Sequence, residues 1–278
     1  MEMRNLSLSL HRAGRRIGFV PTMGALHEGH LSLLRVARDE ADEVVMSVFV
    51  NPAQFGPNED LERYPRDLEA DCASAEKDGC DFVFAPSAEQ MYPSPEGTFV
   101  TVEGLTRVLE GEARPTHFRG VTTIVTKLLN VISPDVTVFG QKDAQQVIVV
   151  RKMIADLNMH YRILVGPTVR EPDGLALSSR NRYLSKQERK EAPIIYEGLS
   201  RAADLFVGGE KDADRLREVV TGEFKRFSVI RPEYVALADP DTLRSVHTEV
   251  VSGLLAVACR TDETGTRLID NIVLGGTL

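Results

Sequence analysis

The feature that most constrains this chain is the alternation, over residues 17–165, of short, nearly unbroken apolar runs with helix-patterned segments. Strands are expected at 17–20, 44–50, 82–84, 136–139 and 161–165, with helices near 30–40, 67–78, 121–132 and 143–157. A strand with no polar face needs cover on both sides, and parallel strands need a crossover between them. The alternation therefore predicts an α/β fold, a parallel sheet with helices on both faces. A Pro- and Gly-rich piece, 86–119, interrupts the pattern and is expected to be an excursion with short strands.

The character changes after Pro172-Asp173-Gly174. Two amphipathic helices are expected at 185–206 and 212–227, separated by Gly208-Gly209. Strand-like runs at 231–238, 254–260 and 266–274 follow, with turn-rich segments between them that suit a meander. The expected division is 1–168 for the α/β domain and 169–278 for a smaller C-terminal α+β domain, which a chain of 278 residues accommodates.

Bulk properties narrow the function. The hydrophobic fraction of 42% suits a globular protein, and no apolar run approaches the roughly 20 residues that span a bilayer. The N-terminal stretch has basic residues but no signal-peptide apolar core. A formal charge of −8 argues against nucleic-acid binding. Cys72, Cys80 and Cys259 are odd in number and outside any C-x-x-C pattern, so neither a disulfide framework nor a zinc cluster is suggested. A cytoplasmic location is expected.

Chemistry concentrates where expected strands meet expected helices. Pro21-Thr22-Met23-Gly24-Ala25-Leu26-His27-Glu28-Gly29-His30 lies at the first such turn. Backbone N–H groups and the helix dipole make it a phosphate site, and Gly24 and Gly29 let the backbone approach a ligand. His27 and His30 would donate hydrogen bonds to phosphate oxygens as charge develops; a partly buried pair satisfied by local carbonyls is the alternative. A metalloprotease helix requires histidines four apart, and these are three apart.

Further polar clusters follow. Asn51 and Gln54 sit after the second strand, where amides suit hydroxyl and carboxylate groups, or Asn51-Pro52 makes only a turn. Gly140-Gln141-Lys142-Asp143 opens another helix. Lys142 offers a cation to phosphate, Asp143 stands at an N-cap position, and Gln146 lies one turn on. Leu177-Ser178-Ser179-Arg180 supplies hydroxyls and a guanidinium for a polyphosphate, or is a solvated linker. Residues 175–181 are expected to have little apolar area holding them, to be mobile when empty and to order over a bound polyphosphate.

His27-x-Gly-His30 resembles the H-x-G-H signature of nucleotidyltransferases and class I aminoacyl-tRNA synthetases. The whole decapeptide, Arg114-Pro115-Thr116-His117-Phe118, Gly140-Gln141-Lys142-Asp143 and Leu177-Ser178-Ser179-Arg180, in that order, resemble the pantothenate synthetases (pantoate–β-alanine ligases) within that superfamily. The resemblance runs from about residue 17 to the C-terminus. It implies a Rossmann-like sheet and ATP-dependent condensation of (R)-pantoate with β-alanine through pantoyl-adenylate, releasing AMP and pyrophosphate.

By that resemblance His30, His27, Lys142 and Arg180 are catalytic. The same residues bind ATP together with Met23, Gly24, Gly140, Asp143 at the ribose, Val169 at the adenine, Leu177, Ser178 and Ser179. Gln54 and Gln146 bind pantoate, with Asn51 nearby. Mg²⁺ rides on the ATP phosphates without a protein metal site, and a homodimer is expected. His117 is left outside the catalytic set, reaching toward substrate or serving a local structural role. The family commonly has glutamate where Gln141 stands and methionine where Leu177 stands. A different adenylyltransferase and a non-catalytic nucleotide-binding regulator are the competing readings. The first leaves the Asn51, Gln54 and Gln146 amides without purpose, and the second leaves every polar cluster so.

Overall fold

The computed structural model describes residues 2–57, 59–95, 97–226 and 229–278. The chain forms two compact units, Met1–Gly140 with Gln146–Gly166, and Gln141–Gln145 with Pro167–Leu278.

The first unit runs α1 (Glu2–Arg12), β1 (Ile17–Thr22), α2 (Glu28–Glu40), β2 (Glu43–Val48), α3 (Leu68–Lys77), β3 (Phe82–Phe84), α4 (Ala88–Met91), α5 (Glu110–Ala113), α6 (His117–Ile132), β4 (Val136–Gly140), α7 (Ala144–Asp156) and β5 (Arg162–Gly166). The first two residues of α7 belong to the second unit. The strands form one parallel sheet in the order β3-β2-β1-β4-β5, the doubly wound arrangement in which the chain reverses direction beside β1. Ligands of such sheets bind at the carboxyl ends of the strands flanking that reversal.

Alternation along β1 decides which helices it meets. Gly18 faces α2, where an added Cβ would lie 3.1 Å from the Ala37 carbonyl oxygen, and Val20 joins Leu34, Ala37, Met46 and Val138 on that side. Ile17 and Phe19 point to the other face and are fully buried. No strand forms in the described part of 86–119, contrary to the expectation of short strands; α4 and α5 are each a single turn. That stretch is tied to α6 instead, Val100 N–H donating to Thr123 Oγ1 (3.0 Å) and Thr122 Oγ1 to the Val100 carbonyl (2.6 Å). Side chains satisfy the backbone groups that a strand partner would otherwise take. The helix α1 was not anticipated by the apolar pattern.

The second unit carries α8 (Lys186–Glu191), α9 (Ile194–Val207), α10 (Ala213–Phe224) and an antiparallel meander of β6 (Ile230–Ala238), β7 (Gly253–Thr261) and β8 (Arg267–Leu274). The single helix expected at 185–206 is two, because Pro193 cannot continue the hydrogen-bond ladder of α8. The helix expected to reach Phe227 ends at Phe224, and Phe227 itself lies outside the described residues. Leu199, Leu216, Leu255 and Val257 anchor its core. Residues 141–145 join this unit because Asn271 of β8 donates from Nδ2 to the carbonyls of Gln141 and Lys142, both at 3.0 Å.

Candidate active site

In the first unit, three candidate segments leave the carboxyl ends of parallel strands: Met23–His30 after β1, Asn51–Gln54 after β2, and Gly140 at the end of β4. The turn after β1 is locked by side chains. Gly24 N–H donates to Thr22 Oγ1 (3.1 Å), and Thr22 Oγ1 donates to the Ser47 carbonyl (2.7 Å). Ala25 and Leu26 N–H donate to the two carboxylate oxygens of Asp71 on α3, at 2.9 and 2.8 Å. Gly24 (φ +82°) and Ala25 (φ +52°) both adopt left-handed backbone. A Cβ on Gly24 would lie 2.7 Å from Asp71 Oδ2, so glycine is required there by space as well as by φ.

His27 is the N-cap of α2. Its Nδ1 accepts from Gly29 N–H (3.2 Å), and His30 Nδ1 accepts from His27 N–H (3.4 Å), a capping box built from two imidazoles. An accepting Nδ1 places the proton of each neutral ring on Nε2. The rings lie 4.1 Å apart, half-buried, at the positive end of the helix. The local partners of both Nδ1 atoms are backbone N–H groups and not the carbonyls expected as the alternative, and this capping is compatible with a role at phosphate: Nδ1 serves the helix and Nε2–H is a donor.

Asn51, expected near a substrate, is bonded within the protein. It is 1% exposed and caps the 3₁₀ turn Pro52–Gln54 by accepting from Ala53 N–H (3.3 Å). Its Oδ1 also accepts from Tyr92 Oη (2.8 Å), while Nδ2 donates to Gln54 Oε1 (3.0 Å) and the Gly120 carbonyl (3.2 Å). Its polar atoms are thus engaged within the protein, and Nδ2 holds the Gln54 amide. Gln54 in turn donates from Nε2 to Met23 Sδ (2.9 Å), which joins two of the expected site residues. Gln146 is half-buried near the start of α7.

In the second unit, Lys142 and Asp143 end a short 3₁₀ turn, Gln141–Asp143, which leads into α7, with Lys142 Nζ 3.9 Å from Asp143 Oδ1. Asp143 is part of this turn, and no capping bond to α7 accompanies it among the described contacts. Gln141 Nε2 donates to Asn271 Oδ1 (3.4 Å), a bond a glutamate at 141 has no proton to make.

Residues 169–177 form a tight hairpin around Pro172-Asp173-Gly174: Glu171 N–H donates to the Leu175 carbonyl (2.8 Å) and Leu177 N–H to the Val169 carbonyl (3.0 Å). Val169 and Leu177 are thus brought side by side. Arg170 stacks on Tyr196, 3.8 Å from the ring centroid, and pairs with buried Asp270. Ser178 accepts from Arg180 N–H (3.3 Å) at the start of a 3₁₀ turn, Ser179–Tyr183, in which Ser179 is buried and Arg180 half-buried. The expectation that little apolar area holds 175–181 is corrected at its start: Leu175 and Ala176 are 3% and 4% exposed, and Leu175 belongs to the unit's core.

Sequence reading missed Asp71, Tyr92 and Gly120. The available signal for Asp71 was a carboxylate one turn before Ala75 on the buried face of α3. Tyr92 and Gly120 carry none, because their partners lie 41 and 69 residues away in the chain.

The pantoate-beta-alanine ligase family matches residues 1–273 of the chain. A pantothenate synthetase of Thermoanaerobacter sp. (strain X514) is 50% identical over 274 residues, 99% of this chain and 96% of the relative. The crystal structure of pantothenate synthetase from Thermus thermophilus superposes with a TM-score of 0.92 at 45% identity, covering 97% of this chain and 96% of that one. A Francisella tularensis pantoate-beta-alanine ligase, solved in complex with beta-gamma ATP and beta-alanine, superposes at 0.77 with 32% identity, over 99% and 95% of the two chains.

Proposed function

The chain belongs to the pantoate-beta-alanine ligase family and condenses pantoate with β-alanine in an ATP-dependent reaction; we propose that it does so through a pantoyl-adenylate, with the residue roles that follow. A carboxylate does not acylate an amine unaided, because oxide is a poor leaving group. Attack of the pantoate carboxylate oxygen on the α-phosphorus of ATP breaks the bond to the pyrophosphate oxygen and releases pyrophosphate. The β-alanine nitrogen, as the free amine, then attacks the acyl carbon. AMP leaves with the C–O bond electrons, and the nitrogen loses its proton.

The observation that carries this reading is the histidine pair. Both Nδ1 atoms accept backbone protons, so His27 and His30 present Nε2–H at a helix N-terminus, where they stabilise charge on the phosphates. Met23, Gly24 and Gly140 line the nucleotide with backbone. Lys142 and Arg180 neutralise phosphate oxygens, with Ser178 and Ser179 as hydroxyl donors. Asp143 takes the ribose, and Val169 and Leu177 take the adenine side. Gln54 and Gln146 bind the hydroxyl and carboxylate groups of pantoate, and Asn51 orients Gln54. Catalysis of the first step is mainly positioning and charge stabilisation.

ATP enters as its Mg²⁺ complex. The groups assigned to phosphate are imidazole, ammonium, guanidinium and the two serine hydroxyls, with no carboxylate among them, which leaves the ion's oxygen ligands to the nucleotide. A homodimer in the cytoplasm is the family expectation, and light scattering of the purified protein decides the first point.

Pantoate-dependent exchange of labelled pyrophosphate into ATP tests the proposal. Exchange in the absence of β-alanine is expected. A requirement for β-alanine would exclude a free-standing adenylate step.

A further inference from the structure

The segment Arg114-Pro115-Thr116-His117-Phe118-Arg119-Gly120 has no role in the chemistry above, yet it converges on one residue of the site. His117 Nδ1 lies 2.9 Å from the Gln54 carbonyl oxygen. A carbonyl only accepts, so the proton of that ring sits on Nδ1. Arg114 Nη2 donates to the same oxygen (3.2 Å), and Arg114 Nε donates to Glu59 Oε1 (2.8 Å), which fixes the guanidinium. Two donors thus occupy the two lone pairs of one backbone carbonyl.

Gly120 closes the arrangement from the next turn of α6. A Cβ there would lie 2.2 Å from the Ala53 carbonyl oxygen and 2.7 Å from Gln54 Cα, so the helix backbone rests directly on the 3₁₀ turn. The Gly120 carbonyl accepts from Asn51 Nδ2, the same amide nitrogen that donates to Gln54 Oε1. Both the main chain and the side chain of Gln54 are therefore referenced to the first turns of α6.

We propose that residues 114–120 are the positioning element for pantoate recognition: His117 and Arg114 fix the Gln54 main chain, and Gly120 fixes Asn51 and through it the Gln54 amide. His117 is then a positioning residue that sets pantoate affinity without touching pantoate. The inference rests on the assignment of Gln54 to pantoate. Burial first, and the neighbouring Arg114 charge second, push His117 down to about 4, so the ring remains a neutral Nδ1–H donor at neutral pH.

The test compares His117→Leu with His117→Asn, side chains of one shape of which only the second donates a hydrogen bond. KM for pantoate and for ATP are read in the exchange assay for both, for Gln54→Ala, and for the His117→Leu/Gln54→Ala pair. Displacing a binding group by a fraction of an ångström weakens recognition by about tenfold. His117→Leu is therefore expected to raise the pantoate KM by about that factor, with the ATP KM within about twofold, and His117→Asn to recover most of the loss. The double variant should be no worse than Gln54→Ala alone, since both changes act through one group.

Parallel rises in both KM values, additive effects in the double variant, or no recovery by asparagine would overturn the positioning role. An unchanged pantoate KM in Gln54→Ala overturns instead the assignment beneath it. If His117→Leu does not fold, Arg114→Lys keeps the charge beside Glu59 but gives up the second donor's reach, and is read by the same criteria.

Discussion

Asp71, in the first turn of α3, accepts the Ala25 N–H at 2.9 Å, and its other carboxylate oxygen takes the neighbouring Leu26 N–H at 2.8 Å. One buried carboxylate thereby holds a left-handed residue two positions before His27, across 46 residues of sequence. The paired histidines owe their placement to this contact as much as to the strand that precedes them.

Asp71→Ala leaves two backbone N–H groups without acceptors, each costing about 1–3 kcal/mol. A stability loss of about 2–4 kcal/mol is expected, together with a fall in pantoate-dependent exchange under conditions where the variant is still folded. Asp71→Asn, which keeps one acceptor oxygen, should lie between it and the wild type. Urea melts and exchange rates on the same preparations check both. Full exchange activity in a folded Asp71→Ala would show that the histidines are placed without it.

The two roles of His27 separate by substitution. His27→Ala loses the cap and the donor, so stability should fall by about 1 kcal/mol and exchange by about 10²–10³. Asparagine is a good N-cap, so His27→Asn should regain the stability but not the activity. His30→Ala is expected to cost a similar factor in exchange. Recovery of activity along with stability in His27→Asn would reduce the histidine to a cap.

Arg180 is expected to serve the phosphates of the first step. Arg180→Ala should lose most exchange activity yet still convert supplied pantoyl-adenylate and β-alanine to product. Rapid-quench measurement of the second half-reaction distinguishes the cases, and equal loss in both would assign Arg180 to the intermediate as well.

Two groups contribute to the loss of stability in acid. Burial alone would raise Glu188, but N–H groups of Ser185, Glu263 and Thr264 and the Thr264 hydroxyl, at 2.8–3.0 Å, outweigh it and hold the carboxyl at about 2. The folded value lies below the ordinary 4.5, so the unfolded chain binds more protons, and stability is lost as pH falls from about 4.5 toward 2. His117, held at about 4 against an ordinary 6.5 by burial and Arg114 and opposed by Glu59 and Glu110, acts in the same direction between those values. Melting temperatures should therefore decline from near pH 6.5 downward. His117→Asn should flatten the upper part of that decline and Glu188→Gln the lower part, although Glu188→Gln is less stable at neutral pH.

The parallel sheet covered on both faces and the positions of His27, Gln54 and Lys142 beyond strand ends were legible because they rest on local physics, whereas the strand order was not. Unbroken apolar runs such as Phe19–Val20 require a covered strand, and polar residues just beyond a parallel strand fall at the ligand edge. The Pro172-Asp173-Gly174 turn was likewise legible, but the hairpin it closes was not, because the pairing of Leu177 with Val169 depends on what packs beneath it, Leu175 in the core and Gly174 against Tyr196.

Asn51 shows where local reasoning stops. From the sequence it was an amide beside a proline at a strand end, equally suited to a ligand or a turn. Its oxygen and nitrogen are spent on Ala53, Tyr92, Gln54 and Gly120, two of them distant in the chain. Residue type and spacing determined which chemistry the chain carries and on which strand ends it sits. Tertiary structure alone decided which polar atoms satisfy one another, because a buried hydrogen bond is set by distance in space, and distances such as that from Asp71 to Ala25 exist only once the chain has closed upon itself.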